Sequence, residues 1–277
     1  MKLDGIHHIT AITSDAPRNV DFYTRVLGLR LVKKTVNQDD PTVYHLFYAD
    51  EHGSPGADLT FFEYPGIERG RAGAGMVHRI VWRLASAEAL GFWEERLRRE
   101  GVSAAQEEEG LRFEDPEGLG LELRVHETRD APLIARHPEI PAGLAVQGFD
   151  GVRAYSADPE RSRSFLERTL GFGPAGADRF DVRGERRGSF YAYDRTATWD
   201  PQDPIFSGRE RAALEMATLF TEDYRAITDQ HLERWKQHFS DEELIELGAF
   251  MALADGFGKL VEMLGLGQAD QTCKFEI

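Results

Sequence analysis

The chain has 277 residues, of which 41% are hydrophobic and 29% are charged, a composition typical of a globular protein. Its 48 acidic and 33 basic residues give a formal net charge of −15, which disfavours binding to the phosphate backbone of nucleic acid. The single cysteine, Cys273, excludes an internal disulfide and any multi-cysteine metal or redox motif. No signal-peptide pattern and no long apolar run occur, so we expect a cytoplasmic protein without a membrane partner.

The first elements predicted in chain order form one strand, one helix and three further strands. An alternating strand at Ile6–Thr13 is followed by an Asp-Ala-Pro turn and by an amphipathic helix that ends at Gly28. Strand-like runs follow at Leu29–Thr35, Thr42–Tyr48 and Leu59–Glu63. The order is βαβββ.

A second strand–helix unit follows a glycine-rich connection. Met76–Leu84 alternates as a strand does, and Ala87–Arg99 has helical periodicity. Leu111–Glu114 and Leu119–His126 are predicted as its closing strands. Residues 1–128 are therefore predicted to form a module of two βαβββ units that face each other.

The chain then repeats itself. A proline-containing segment at 129–144 is predicted as a linker, and residues 149–172 repeat residues 6–29 at an offset of 143. A hairpin of Arg179–Arg183 and Ser189–Tyr193 follows, and the strand pattern stops before residue 200. The interpretation is a partial second module at 145–195, so that the second module is truncated.

Residues 205–277 have the character of helices. Ser207 with Glu210 and Ser240 with Glu243 have the spacing of capping boxes ahead of apolar-periodic runs. The predicted fold class is α+β, with paired βαβββ modules followed by an α-helical C-terminal segment. The side chains expected to be mostly buried in that segment are Leu214, Leu219, Leu244, Leu247, Phe250, Leu253 and Leu260.

Whole segments of the first 195 residues resemble a known family. GIHHIT, SDAPRNVDFYTRVLGL, TVYHLFYAD and GADLTFFEYP are similar to the vicinal-oxygen-chelate (glyoxalase and extradiol dioxygenase) superfamily, and in particular to hydroquinone-type ring-cleaving dioxygenases. The resemblance implies a ring-cleaving extradiol activity on a hydroquinone or catechol-type aromatic. Residues 205–277, with SGRERAALEMAT and DQTCKFEI, resemble carboxymuconolactone decarboxylase-like helical proteins, but the upstream residues that carry chemistry in that family have no counterpart.

The resemblance also implies a metal site. Such dioxygenases hold Fe(II) by two histidines and one carboxylate, which leaves one face of the ion open for the diol and O₂. The first ligand matches His8, while His7 and Thr10 match positions on the substrate side. His7 is thus the candidate proton acceptor and Thr10 the candidate substrate-binding residue. The other two ligands belong to later strands for which this sequence shows no pattern.

A second potential cup retains one of three possible ligands. Glu122 lies in the closing strand of the second unit and is a candidate metal ligand, but Arg79 aligns with the ligand histidine. In the later copy Gly151 aligns with His8. A homodimer that exchanges modules could bring His8 of one chain toward Glu122 of the other.

Three functional hypotheses remain open at this point. The first is an Fe(II)-dependent ring-cleaving dioxygenase with a degraded or shared iron site. The second is a non-catalytic protein that binds a small aromatic ligand, and the third is an inactive fusion of two family fragments. Because His8 alone is one neutral ligand, we expect the monomer to hold well under one equivalent of iron.

Overall fold

The computed structural model describes residues 3–38, 40–67, 69–107, 110–184, 187–196 and 206–264, without the side chains of residues 222, 254, 255 and 257–264. By its internal contacts the chain divides into two compact units, residues 2–197 and residues 198–277.

A four-stranded sheet opens the first unit. Its strands lie in the order β1-β4-β3-β2, with β1 parallel to β4 and the other neighbours antiparallel. The crossover helix begins where the Asp15 carboxylate accepts a hydrogen bond from Arg18 N at 3.0 Å. It continues as a π-helical turn and ends at Gly28, whose φ of +76° favours glycine. The elements are β1 His8–Thr13, α1 Ala16–Val20, the π-turn Asp21–Val26, β2 Arg30–Val36, β3 Tyr44–Ala49 and β4 Asp58–Glu63.

An eight-stranded sheet follows, in the order β10-β11-β12-β9-β5-β8-β7-β6. It contains two further βαβββ units that are joined antiparallel through their first strands, β5 and β9. The partial second module thus contains one whole βαβββ unit, and the sequence patterns missed β6. The elements are β5 Val77–Leu84, α2 Ala87–Arg99, β6 Ala104–Glu107, β7 Gly110–Glu114, β8 Gly120–Val125, β9 Phe149–Ser156, α3 Glu160–Ser164, β10 Gly173–Pro174, β11 Arg179–Arg183 and β12 Gly188–Arg195.

One hydrophobic core holds the first two βαβββ units together. It combines Tyr23 and Phe61 from the first βαβββ unit with Trp82 and Trp93 from the second βαβββ unit, and all four side chains are buried. The segment predicted as a linker also packs on this core, through Ile140 and its neighbours. This packing is close, because a Cβ added to Gly28 would lie 2.5 Å from Ile140 Cδ1.

The second unit contains the helices expected in the C-terminal region: α4 Gly208–Asp223, α5 Asp229–Trp235 and α6 Asp241–Leu264. Ser207 and Glu210 form a capping box at the start of α4, and Ser240 and Glu243 form the same bonds at α6. No described helix is long and apolar enough to cross a membrane. The small core of this unit contains Ala212, Met216, Trp235, Phe239 and Leu244.

The predicted burial in this unit was partly wrong. Leu244 is buried, and Leu214, Leu219 and Leu247 are half-buried, whereas Phe250 and Leu253 are 72% and 71% exposed. Both exposed side chains lie on a face of α6 that none of the described neighbours covers. The side chain of Leu260 lies outside the described part of the chain.

Candidate functional site

The first sheet has one face on the core and one open face. Register partners on neighbouring strands point to the same face, and β1 pairs with β4 so that His8 lies beside Asp58 and Thr10 beside Thr60. The intervening Ile9 packs toward the core. The open face is defined here as the side chains of His8, Thr10, Ile12, His45, Phe47, Asp58, Thr60 and Phe62.

His7 and His8 form an exposed pair at the start of β1. Their Nδ1 atoms lie 3.2 Å apart, so one ring must donate and the other accept, and the rings are nearly perpendicular. Thr10 is also exposed, and its hydroxyl accepts a hydrogen bond from the Thr60 hydroxyl at 3.0 Å. The three residues predicted from the resemblance therefore lie together along one strand, while their chemical roles remain predictions.

The open face also contains an aromatic stack. The ring centroid of His45 lies 4.0 Å from that of Phe47 and 4.0 Å from that of Phe62. Burial lowers the pKa of His45, the negative charge of Asp58 opposes this shift, and the positive charge of Lys33 adds to it. The buried Nε2 of His45 has no hydrogen-bond partner among the described residues.

Asp58 is a second residue with unused hydrogen-bonding capacity. Its Oδ1 is buried and has no partner in the described part of the chain. Burial raises the pKa of this carboxyl, and the attraction of His8, His7 and His45 opposes the rise. The sequence did not single out Asp58; the available signal was its place at the start of an alternating strand.

The described residues of one chain do not fit an iron site. No group of three or more His, Cys, Asp and Glu side chains among them is placed to hold a metal ion. The open face carries His8, His45 and Asp58, but these side chains are not placed as a three-ligand group, so two histidines and a carboxylate do not converge on one point.

Glu122, the other candidate ligand, has a different environment. It lies on β8 in the eight-stranded sheet, whereas His8 lies on β1 in the four-stranded sheet, so the structure does not join them in one sheet. Glu122 Oε2 accepts a hydrogen bond from Arg79 Nη1 at 2.9 Å, and both side chains are buried. The arginine that aligns with the ligand histidine thus already neutralises the candidate carboxylate.

The same face of the second sheet carries a second ion-paired group. Arg153 Nε donates to Asp194 Oδ2 at 2.9 Å, and this pairing lowers the pKa of Asp194 to about 2. His78 Nε2 lies 2.7 Å from the same carboxylate, and its ring stacks on Tyr155 with centroids 3.8 Å apart. Burial lowers the pKa of His78. These pairs are not apparent from the order of residues in the sequence.

Comparisons with known proteins agree with this architecture. The family model described as "Glyoxalase/Bleomycin resistance protein/Dioxygenase superfamily" matches residues 5–123. A crystal structure titled as a putative dioxygenase from Bacillus subtilis subsp. subtilis str. 168 superposes with a TM-score of 0.66 at 35% identity. The superposition covers 72% of this chain and 66% of that one.

Curated relatives lead to the same lineage. "Putative ring-cleaving dioxygenase MhqA" of Bacillus subtilis (strain 168) is 42% identical over 178 residues, 62% of this chain and 56% of the relative. The "Chlorohydroquinone/hydroquinone 1,2-dioxygenase" of Sphingobium indicum is 32% identical over 64% of this chain and 57% of the relative. The chain thus spans a little over half the length of these relatives. Residues 5–123 are a domain of the glyoxalase, bleomycin resistance protein and dioxygenase superfamily, in a chain homologous to putative ring-cleaving dioxygenases.

Proposed function

We propose that this chain is a ring-cleaving dioxygenase-lineage protein that binds a hydroquinone or catechol-type aromatic on the open face of its first sheet. The observation that carries the proposal is the arrangement of His8 and Thr10 beside the stacked rings of His45, Phe47 and Phe62. A flat ring packs on aromatic side chains, and its hydroxyls donate to imidazole or threonine oxygen. The relatives' names support the same class of ligand.

Iron is the cofactor that the lineage implies, and it would supply activation of O₂ and of the bound diol. Since the described residues of one chain do not fit it, the proposal assigns to this chain the binding of the aromatic and not ring cleavage. His8 and Asp58 would be its contribution to a shared site. His7, at 3.2 Å from His8, is placed to orient that imidazole or to accept a proton from a bound hydroxyl.

The experiment is an anaerobic calorimetric titration with hydroquinone, because oxygen would oxidise the probe. We expect saturable binding to the wild type and about fivefold weaker binding to His8→Ala, the loss of one neutral hydrogen bond. Phe47→Leu should weaken binding through lost ring stacking. His231→Ala is the matched control, since that histidine bonds Thr228 at the start of α5 in the helical unit.

Two results would change the proposal. Equal affinity of all variants would show that hydroquinone does not bind on the open face. Stoichiometric O₂ uptake with ring opening, after incubation of the chain with Fe(II), would establish the complete enzyme in place of the binding protein.

The role of residues 205–277 is a separate matter. Their resemblance to carboxymuconolactone decarboxylase-like proteins stays a prediction, as do the cytoplasmic location and a homodimer. Under the aromatic-binding hypothesis this segment is a candidate lid or oligomerisation surface, and the exposed Phe250 and Leu253 on α6 are compatible with the second of these roles.

A further inference from the structure

A cavity of about 400 Å³ opens on the second sheet where β5 meets β9. Three arginines, three carboxylates, His78 and Tyr155 line it. The proposed function does not use this cavity, which lies on a different sheet from His8. The charged residues are Arg79, Arg112, Arg153, Glu107, Glu122 and Asp194.

Arg79 holds two carboxylates that differ in burial. Its Nη1 lies 2.9 Å from Glu122 Oε2 and 3.2 Å from Glu107 Oε2. The side chain of Glu122 is 6% exposed, whereas that of Glu107 is 40% exposed. Glu122 therefore neutralises the buried guanidinium, and Glu107 is the partner that an incoming anion can replace.

Glu107 bridges two cations. While its Oε2 contacts Arg79, its Oε1 lies 3.2 Å from Arg112 Nη1 on the next strand. The side chain comes from β6, the last strand of the sheet, where it can swing into solvent. The carboxylate of Glu107 thus occupies a position where a planar anion contacts the guanidinium groups of both Arg79 and Arg112.

The opposite wall has a flat apolar surface and a satisfied ion pair. His78 stacks on Tyr155 at an angle of 11°, and both rings line the cavity. Arg153 remains paired with Asp194, so it does not compete for the Glu107 position. The cavity thus combines an anion position on one side with an aromatic wall on the other.

We propose that this cavity is a second binding site, and that it takes a small aromatic carboxylate whose carboxylate replaces that of Glu107 on Arg79 and Arg112. The ring of the ligand then lies toward His78 and Tyr155. This site is independent of the diol-binding open face, since it uses a different sheet and a charged ligand.

The test is a ¹⁹F NMR titration with 4-fluorobenzoate, which detects binding in the millimolar range. The wild type should bind, and Glu107→Gln should bind about threefold more tightly because the competing carboxylate is gone. The double variant Arg79→Gln/Glu122→Gln keeps a neutral hydrogen-bonded pair in the same volume, so it should fold and lose at least about tenfold in affinity.

The controls separate this site from general charge effects. Glu95→Gln removes the same charge from the exposed side of α2, where Glu95 pairs with Arg98, and it should leave the affinity unchanged. The neutral probe 4-fluorobenzamide should bind at least about tenfold more weakly than the benzoate to the wild type. The proposal is overturned if Glu107→Gln and Glu95→Gln act alike, or if the double variant binds as the wild type does.

Discussion

Both sheets of residues 2–197 are built from βαβββ units, but the first strands of these units have different neighbours. In the eight-stranded sheet, the first strands β5 and β9 pair with each other, and the face above the junction holds interlocked ion pairs. In the four-stranded sheet, β1 has a strand neighbour on one side only among the described residues. Its face holds exposed histidines and unused polar atoms instead.

Equivalent positions show what this difference means chemically. Arg79 and Gly151 take the places in β5 and β9 that His8 takes in β1, and they lie next to the strand junction. Where two βαβββ units are joined, the arginine is charge-balanced by Glu122 and the glycine supplies no side chain. Where the first strand is left at an edge, the histidine stays accessible. The same fold therefore carries one stabilised face and one face that is available for chemistry.

The largest expected difference concerns buried charge in the second sheet. Arg83, only 2% exposed on its side chain, bonds Asp150 at 3.0 Å and Asp130 at 2.7 Å. Arg83→Met leaves both carboxylates short of a cation and should lower the free energy of unfolding by about 3 to 5 kcal/mol. Urea denaturation measures it.

Two variants at exposed positions should lose less stability than Arg83→Met. Arg25→Met removes a half-exposed arginine that pairs with the exposed Asp21 and with Glu100, and it should cost about 1 kcal/mol. His8→Ala, on the exposed edge, should change stability by less than about 0.5 kcal/mol. A loss as large for His8→Ala as for Arg83→Met would show that the open face is a structural surface after all.

The next largest effect is a dependence of folding stability on pH. The folded pKa of Asp194 is lowered to about 2, chiefly by its bond from Arg153. Because the pKa of Asp194 is lower in the folded state, its ionised carboxylate stabilises the fold at pH values above its unfolded-state pKa of about 4. That contribution to the free energy of unfolding is lost as the pH falls from about 4 to 2. After allowance for partial exposure it amounts to about 1 to 2 kcal/mol.

Asp194→Asn tests this dependence. The wild type should be more stable than the variant at pH 6, and the difference should shrink steadily below pH 4, as followed by urea denaturation at each pH. A difference that grows on acidification would contradict the assigned sign.

A smaller effect concerns single amides of β1. The carbonyls of His7 and Thr13 accept hydrogen bonds from Gly56 and Tyr64, so the odd-numbered residues direct their backbone groups toward β4. The even-numbered Thr10 and Ile12 then direct theirs to the free edge. Their amides should exchange with deuterium at least about tenfold faster than those of Ala11 and Thr13.

Residue-resolved NMR of exchange checks this alternation. Arg83 provides the internal comparison, because its amide bonds Gly148 O at 3.0 Å across the β5–β9 junction and should be protected. Equal protection of even and odd residues in β1 would mean that another segment or another copy of the chain covers the edge.

The smallest expected effect is in iron content. After anaerobic incubation with Fe(II) and extensive dialysis, the monomer should retain well under one equivalent, and His8→Ala should change this little. Metal analysis by mass spectrometry gives the number. Close to one iron per chain, lost in His8→Ala, would refute the expectation and favour ring cleavage as the activity.

Local patterns predicted much of this fold. Helix α2 was expected at Ala87–Arg99 and is found there, because its apolar periodicity and the Ser86 cap agree. Strand β6, Ala104–Glu107, was missed because its four residues are all exposed and show no alternation of polarity. The π-helical turn before Gly28 was also missed, since a helix signal does not separate α from π bonding.

Contacts between residues far apart in the chain could not be predicted from the sequence. His8 was found through a recognisable strand motif, whereas the neighbouring role of Asp58 depends on the parallel register of β1 and β4, fifty residues apart. Phe250 and Leu253 were expected to be buried because α6 is strongly apolar, but α4 and α5 cover only one of its faces. Periodicity identifies an apolar face without saying what packs on it.

Gly151 has a consequence for how this family of folds can change over time. A Cβ at this position would lie 2.5 Å from the ring and the backbone oxygen of Phe190. A histidine introduced there by a single substitution would collide with the neighbouring strand before it could reach a metal. A ligand at Gly151 therefore requires at least two coordinated changes, one of them in β12, so selection acting on one mutation at a time meets a barrier. New chemistry is more accessible on strand β1, which has a strand neighbour on one side only among the described residues.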